Sequence, residues 1–468
     1  MEMQFAQAVL RRLPLAEAAV HLWRFVGDAD TLEDMFQRHR GACYTGKLTF
    51  AVLTHLVADA LLEHQGSARK SFARGQENEE LPVSIVAAYG KLRRLPQSLS
   101  QAFLAESSAR LQSIFPAPQG AKLPASLQEF VVVALDGKAI KRVPKRLKPL
   151  RQAAGGVLGG KALVALELSS GLALAMATSL DGDTNEASLV PDLLPQVQAQ
   201  RTDILWLGDR QFCDLTQPRA FTARDGDHFV VRYHPRSKYG PDPSRPAQTG
   251  IDEHGRTYVQ DWGWLGRANN KDRRYVRRIT LSRSEQEDII LITDLLDAAT
   301  YPATDLLALY LMRWGIERVF QQITEVFHLQ RLIGTTPQGT LFQLAFCLLL
   351  YNMIQVIRGY VAEGAALDVG DISTELLFDD VQRQLIALHE VVATEYVVAL
   401  APSGLSTAAL AKVLRQLLHS VWTPRWRKAP AKKKVPLRKS PRQRTHNSAY
   451  RLLQQDRLVH KTRRRGAK

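Results

Sequence analysis

Three acidic residues in distinct settings are the groups best equipped for chemistry in this 468-residue chain. They are Asp136 in Val-Val-Val-Ala-Leu-Asp-Gly, Asp209 in Ile-Leu-Trp-Leu-Gly-Asp-Arg and Glu317 in Tyr-Leu-Met-Arg-Trp-Gly-Ile-Glu. Hard divalent ions take oxygen ligands, commonly one or two carboxylates completed by water and substrate phosphate oxygens. Two such ions about 3.5 to 4 Å apart can activate an attacking oxygen and stabilise a leaving one in an in-line displacement. Three converging carboxylates suffice for that arrangement, so the trio reads as a metal-binding triad for phosphodiester chemistry on a nucleic acid. Taken singly, each Asp is a strand-ending turn residue, and Asp-Gly is a common turn dipeptide. The case therefore depends on elements that bring the three together.

Those elements are legible in the hydrophobic pattern. Phe130 to Leu135 is a continuous β-favouring run, and Lys161 to Leu168 and Leu172 to Ser179 flank a Ser-Ser-Gly turn. Asn185 to Gln200 reads as a helix, Ile204 to Leu207 as a strand, Pro218 to Ala223 as a short helix and His228 to Tyr233 as a strand. The order β-β-β-α-β-α-β resembles a ribonuclease H-like core that lacks only its last helix. In such a sheet the first and fourth strands are neighbours, which would set Asp136 beside Asp209. A stretch rich in Gly, Pro and charge follows, too long for a bare loop. With strand candidates at Thr257 to Leu265, Tyr275 to Leu281 and Asp288 to Thr293, it reads as a β-rich insertion before the delayed helix, Asp305 to Leu329. Tyr310 and Glu317 are seven residues apart, about 700° at roughly 100° per residue, so they share one helix face to within about 20°. Arg313 lies between them on that face, although an Arg and Glu four apart also make an ordinary intrahelical ion pair.

At this point the chain resembles a DDE transposase of the bacterial insertion sequence family four, whose third carboxylate lies in a Tyr-x2-Arg-x3-Glu-x6-Lys signature. Tyr310, Arg313 and Glu317 match it, but the Lys position holds Thr324, with Gln322 and Arg331 as candidates to replace it. The second-Asp motif, Asp-Arg-Gly-Phe in this family, reads Asp209-Arg210-Gln211-Phe212, and Asn185-Glu186 is also similar to family members. The resemblance covers roughly Phe130 to Ile357. It implies cleavage at the ends of a mobile element and attack of the freed 3′-hydroxyl on target DNA. Asp136, Asp209 and Glu317 would hold two Mg²⁺ ions, with Mn²⁺ able to substitute. Tyr310, Arg313, Arg210 and Lys138 would hold DNA, the planar Arg fork suiting phosphate. The implied partners are terminal inverted repeats and target DNA, bound by a homodimer. Two alternatives remain open: a transposase-derived DNA-binding protein that no longer cuts, and a related metal-dependent nuclease without strand transfer.

The rest of the chain frames this reading. The hydrophobic content of 45% excludes disorder throughout. The formal charge of +16 is concentrated: residues 421–468 hold 17 Lys or Arg and one acid, leaving 45 of each sign elsewhere. Lys432-Lys433-Lys434, Arg438, Lys439, Arg442 and Arg444, broken by prolines, cannot build a core and are expected to be flexible when free. Their natural counterpart is a polyanion, because phosphate contacts release counterions. The expected organisation is a helical N-terminal domain over 1–115, a candidate DNA-end reader, then a linker marked by Pro116, Pro118, Gly120 and Pro124. The catalytic domain would span 125–360 with its insertion at 234–300, followed by a helical region at 361–420 and the basic tail.

Three scattered cysteines, with no zinc-like Cys/His spacing, point to a reducing compartment and hence the cytoplasm. Leu341 to Ile357, interrupted by polar residues and short of the roughly 20 needed to span a bilayer, reads as a buried helix, so no membrane partner is expected. Nor is a nucleotide: Gly155 to Ala162 nearly spells a phosphate-binding loop, but Ala162 replaces the required Ser or Thr and a strand-like run follows. Asp181, Asp183 and Glu186 form a second acidic cluster in which Asp183 or Thr184 is expected to cap a helix. His389-Glu390 lacks the second His of a zinc protease. Trp262 and Trp264 could stack on an extruded base, or simply pack.

Overall fold

The computed structural model describes residues 2–116, 123–141, 143–283, 287–402, 404–429 and 446–465. Pro118, Gly120 and the basic residues between 430 and 445 lie outside them. Seven helices come first: α1 (Glu2–Leu10), α2 (Pro14–Val26), α3 (Ala29–His39), α4 (Phe50–Leu62), α5 (Ala68–Glu77), α6 (Ile85–Leu92) and α7 (Gln97–Ser113). Asp28 and Thr49 cap α3 and α4 by accepting from the backbone N–H groups of Thr31 and Val52, which satisfies donors a helix start leaves orphaned.

The strands are β1 (Val131–Ala139), β2 (Gly156–Leu158), β3 (Lys161–Glu167), β4 (Ala173–Ser179), β5 (Ile204–Gly208), β6 (His228–Arg232), β7 (Tyr239–Pro241), β8 (Gln248–Ile251), β9 (Thr257–Leu265), β10 (Arg274–Leu281), β11 (Ile289–Thr293) and β12 (His446–Ser448). Among the described residues the main sheet runs β4-β3-β1-β5-β6-β11-β10-β9-β7, with β8 on β9. β1 is antiparallel to β3 and parallel to β5, and β5 is parallel to β6. Later helices are α8 (Lys148–Arg151), α9 (Val190–Gln198), α10 (Thr216–Phe221), α11 (Ala303–Met312), α12 (Trp314–Glu325), α13 (Pro337–Ala365), α14 (Thr374–Val391), α15 (Thr394–Leu400), α16 (Thr407–Leu418) and α17 (Ala449–Arg465).

Both faces of the central strands are covered, which is why their sequences are continuously apolar rather than alternating. Val133, Leu135 and Trp206 pack with Leu193 and Val197 of α9 and Phe221 of α10. Val132, Ala134 and Leu207 join the larger core with Phe103 of α7, Ile316 of α12 and Phe342 of α13. Because side chains alternate along a strand, Asp136 and Lys138 belong to the face shared by Val132 and Ala134. α12 packs on β1 from that side. Helix α13 is apolar nearly all round and is long enough to cross a bilayer by length and composition, yet its most apolar stretch is buried inside the fold, as such helices are in large cores.

Three expectations need correction. The first strand does not end at Leu135: its ladder with β3 runs on to Ala139, so Asp136 sits inside β1, opposite Val164, and Asp-Gly makes no turn. The β-rich stretch between β6 and α11 continues the core sheet, β11 pairing with β6. The catalytic helix is two helices meeting at Arg313, where Arg313 N bonds Tyr310 O at 3.1 Å and Ile316 N bonds Arg313 O at 3.1 Å. These three-residue spacings are tighter than α-helical ones, so Tyr310 and Glu317 share no continuous helix face. Finally, part of the basic tail is ordered. β12 pairs with β2, and Arg451 of α17 grips Asp181 and Asp183 at 2.8 and 3.3 Å.

Candidate active site

The parallel ladder of β1 and β5 ends on the pair Ala134 and Leu207; Asp136 lies two residues further along β1 and Asp209 two residues further along the chain, just past the end of β5, where its charge reaches Asp136. β5 stops at Gly208, and Asp209 caps a single 3-10 turn by accepting from the Gln211 N–H at 2.9 Å. One Asp136 oxygen accepts from the Gly137 N–H at 2.9 Å. Burial pushes the Asp136 carboxyl up to about 7, and the charges of Glu186 and Asp209 add to that rise, while Arg313 and the Gly137 N–H oppose it. Arg313 is the cation whose charge most lowers the Asp136 carboxyl. Its side chain is 7% exposed, it donates to Glu317 Oε1 at 3.1 Å, and its guanidinium carbon lies 5.6 Å from the Tyr310 ring centre. Burial raises the Tyr310 hydroxyl, with Arg313 pulling the other way. Glu317 is more open, its side chain 40% exposed.

These side chains are of the chemical type that a hard divalent ion takes as ligands. The acceptors are carboxylate oxygens, and burial, the largest influence on Asp136, disfavours its charged form while no cation is bound. As they stand, the described residues contain no three acidic, His or Cys side chains close enough to hold an ion jointly, and Glu317 pairs with Arg313 instead.

The other expected contact residues are placed as follows. Lys138 turns to α12, donating to Thr324 Oγ1 at 2.9 Å and Phe320 O at 3.2 Å. An ammonium thus reaches the position where the signature Lys was expected. Burial lowers its pKa, as does Lys141, and Asp136 and Glu325 counter this. Arg331 is engaged elsewhere, donating to the backbone and side-chain oxygens of Gln65 at 3.1 Å. Arg210 pairs with Glu287, which Arg232 also contacts at 3.1 Å. Trp262 is fully buried, donating to Leu296 O at 2.9 Å with Arg245 stacked 3.6 Å from its ring centre, so it is a packing residue. Trp264 is 37% exposed, between Arg273 and Tyr275.

Glu186 stands apart from the two acids that precede it. Asn185, rather than Asp183 or Thr184, caps the turn that opens the helical stretch, accepting from Ala187 N–H at 3.2 Å. This aims Glu186 at β1, away from Asp181 and Asp183. The available signal was the pair of residues beside the two aspartates, Gly137 and Gln211, both of which touch Glu186.

Residues 128–353 match the family model described as the transposase DDE domain, a span that includes Asp136, Asp209 and Glu317. That match supports a transposase function. No curated protein matches the chain. Among solved structures, the chain is similar to the piggyBac transposase synaptic complex with hairpin DNA, at 11% identity and a TM-score of 0.35, over 86% of this chain and 85% of that one.

Proposed function

We propose that this chain is a metal-dependent DNA transposase of the insertion sequence family four type, built on a ribonuclease H-like core, that cleaves element ends and transfers them to target DNA. The observation that carries the reading is the parallel pairing of β1, which holds Asp136, with β5, which ends one residue before Asp209, together with the packing of the helix bearing Glu317 on β1. The strand order β4-β3-β1-β5-β6 supports the core assignment. Asp136, Asp209 and Glu317 would hold Mg²⁺, which supplies Lewis-acid stabilisation of the oxygens that enter and leave phosphorus. Before Glu317 can join the two aspartates, its pairing with Arg313 must loosen, and Arg313 is then free to donate its fork to a phosphate. Tyr310, Lys138 and Arg210 would line the DNA path, and the N-terminal helices would read the terminal repeats within a homodimer.

The pairing of Glu317 with Arg313 also favours a second reading, a DNA-binding protein that does not cut. Nicking of terminal-repeat DNA with Mg²⁺ separates the two. Wild type should nick and Asp209→Asn should not; equal products from both would sink the enzyme reading. Salt-dependent binding without any nicking would favour the second.

A further inference from the structure

We infer that Glu186 is a positioning residue for the proposed site, orienting the Asp209 carboxylate through the Gln211 amide. The inference rests on the reading of Asp136, Asp209 and Glu317 as the reacting centre. Its first support is steric. A β-carbon built at Gly137 would come within 1.8 Å of the Glu186 carboxyl carbon and 2.2 Å of both its oxygens. Those distances are far inside van der Waals contact, so the carboxylate occupies a place that exists only because the residue after Asp136 is glycine. Its second support is polar. Lys161, facing Ala139 across β1 and β3, sets its ammonium 3.3 Å from Glu186 Oε1, and Gln211 donates to Oε2 at 2.5 Å.

The same Gln211 side-chain nitrogen lies 3.5 Å from Asp209 Oδ2, while its backbone N–H holds Asp209 Oδ1 at 2.9 Å. Both oxygens of Asp209 thus face one residue, and that residue is fixed by Glu186. A simple ion pair with Lys161 would need neither the space at Gly137 nor the amide bridge. The neighbouring acids Asp181 and Asp183 take no part, being held by Arg451. Groups that orient a metal-binding carboxylate from behind typically matter about 10- to 100-fold in metal affinity or activity.

The test compares full-length wild type with Glu186→Ala, Glu186→Gln, Gly137→Ala, the Gly137→Ala/Glu186→Ala double variant and Asp209→Asn. Two quantities are read: binding of Mn²⁺ alone to DNA-free protein by electron paramagnetic resonance, and the Mg²⁺ concentration for half-maximal nicking. Glu186→Ala should weaken both by roughly tenfold, with Glu186→Gln recovering much of the loss because its amide oxygen can still accept from Gln211. Gly137→Ala should match Glu186→Ala by evicting the carboxylate, and the double variant should be no worse than either. Wild-type Mn²⁺ binding in Glu186→Ala alongside loss in Asp209→Asn would overturn the inference and leave the site standing. So would additive losses at 137 and 186. Wild-type behaviour of Asp209→Asn would remove the site reading and the inference with it. Should Glu186→Ala fail to fold, Gln211→Ala carries the same expectation.

Discussion

Replacing Asp136 by Asn should stabilise the metal-free protein at alkaline pH. The carboxyl has its ordinary value of 3.8 when the chain is unfolded and about 7 in the folded protein. Below about pH 4 it is protonated in both states and contributes nothing to the difference. Between these values the folded state keeps a proton that the unfolded state has lost, so stability falls as pH rises. Above about pH 7 the full cost is present, about 4 kcal/mol at about 1.4 kcal/mol for each unit of pKa. Asn carries no charge, fills the same volume and can still accept from the Gly137 N–H, so it should recover between about 1 and 4 kcal/mol at pH 8, the low end allowing for solvent screening of a carboxyl that is only partly buried. Urea denaturation in EDTA at pH 5 and pH 8 measures this directly. The gain should appear at pH 8 and shrink at pH 5, and added Mg²⁺ should stabilise wild type far more than Asp136→Asn. A variant less stable than wild type at pH 8 would show that Arg313 and the Gly137 N–H outweigh burial, and the claim that burial disfavours the charged carboxyl would fail.

Two further outcomes follow from the contacts around the site. Lys138→Met removes an ammonium whose hydrogen bonds go to neutral acceptors on α12; it should weaken DNA binding uniformly across sequences and reduce the slope of log affinity against log salt by about 1, whereas an unchanged slope would make Lys138 a strap between β1 and α12. Trp262→Ala should cost about 3 to 5 kcal/mol in urea denaturation because the side chain is fully buried, and Trp264→Ala, which is partly exposed, should cost about 1 kcal/mol or less; equal losses would contradict their different burial.

What the sequence made legible is what local physics controls. The strands Ile204–Gly208 and His228–Arg232 are short apolar runs with no competing period, and they lie within a residue of their expected ends. The end of β1 was not legible, because Asp136-Gly137 has turn chemistry and only the partner strand β3 holds it extended. The break at Arg313 was hidden for a similar reason. Nothing in Tyr-Leu-Met-Arg-Trp departs from helical composition, and the local tightening coincides with a guanidinium turned toward Glu317 and the charge of Asp136, residues 4 and 177 positions away. The segment from 446 onward looked unstructured by composition, yet its order comes from a strand pairing and two ion pairs with residues more than 260 positions earlier.

Glu186 shows the same principle at the site. In sequence it is one acid in a cluster of three, and the cluster has no spacing that selects any of them. In space the cluster divides. Arg451 draws Asp181 and Asp183 toward α17, while the Asn185 cap turns Glu186 the other way, onto the glycine that follows Asp136. The residues that decide its place are therefore a glycine and a glutamine beside the two aspartates, and a lysine on β3. The Gln that departs from the expected Asp-Arg-Gly-Phe motif is the one that reaches Glu186, so the departure at 211 has a structural partner rather than being a loss. Replacing Gln211 by Gly to restore that motif would remove the bridge, and on this argument it should impair this chain rather than improve it.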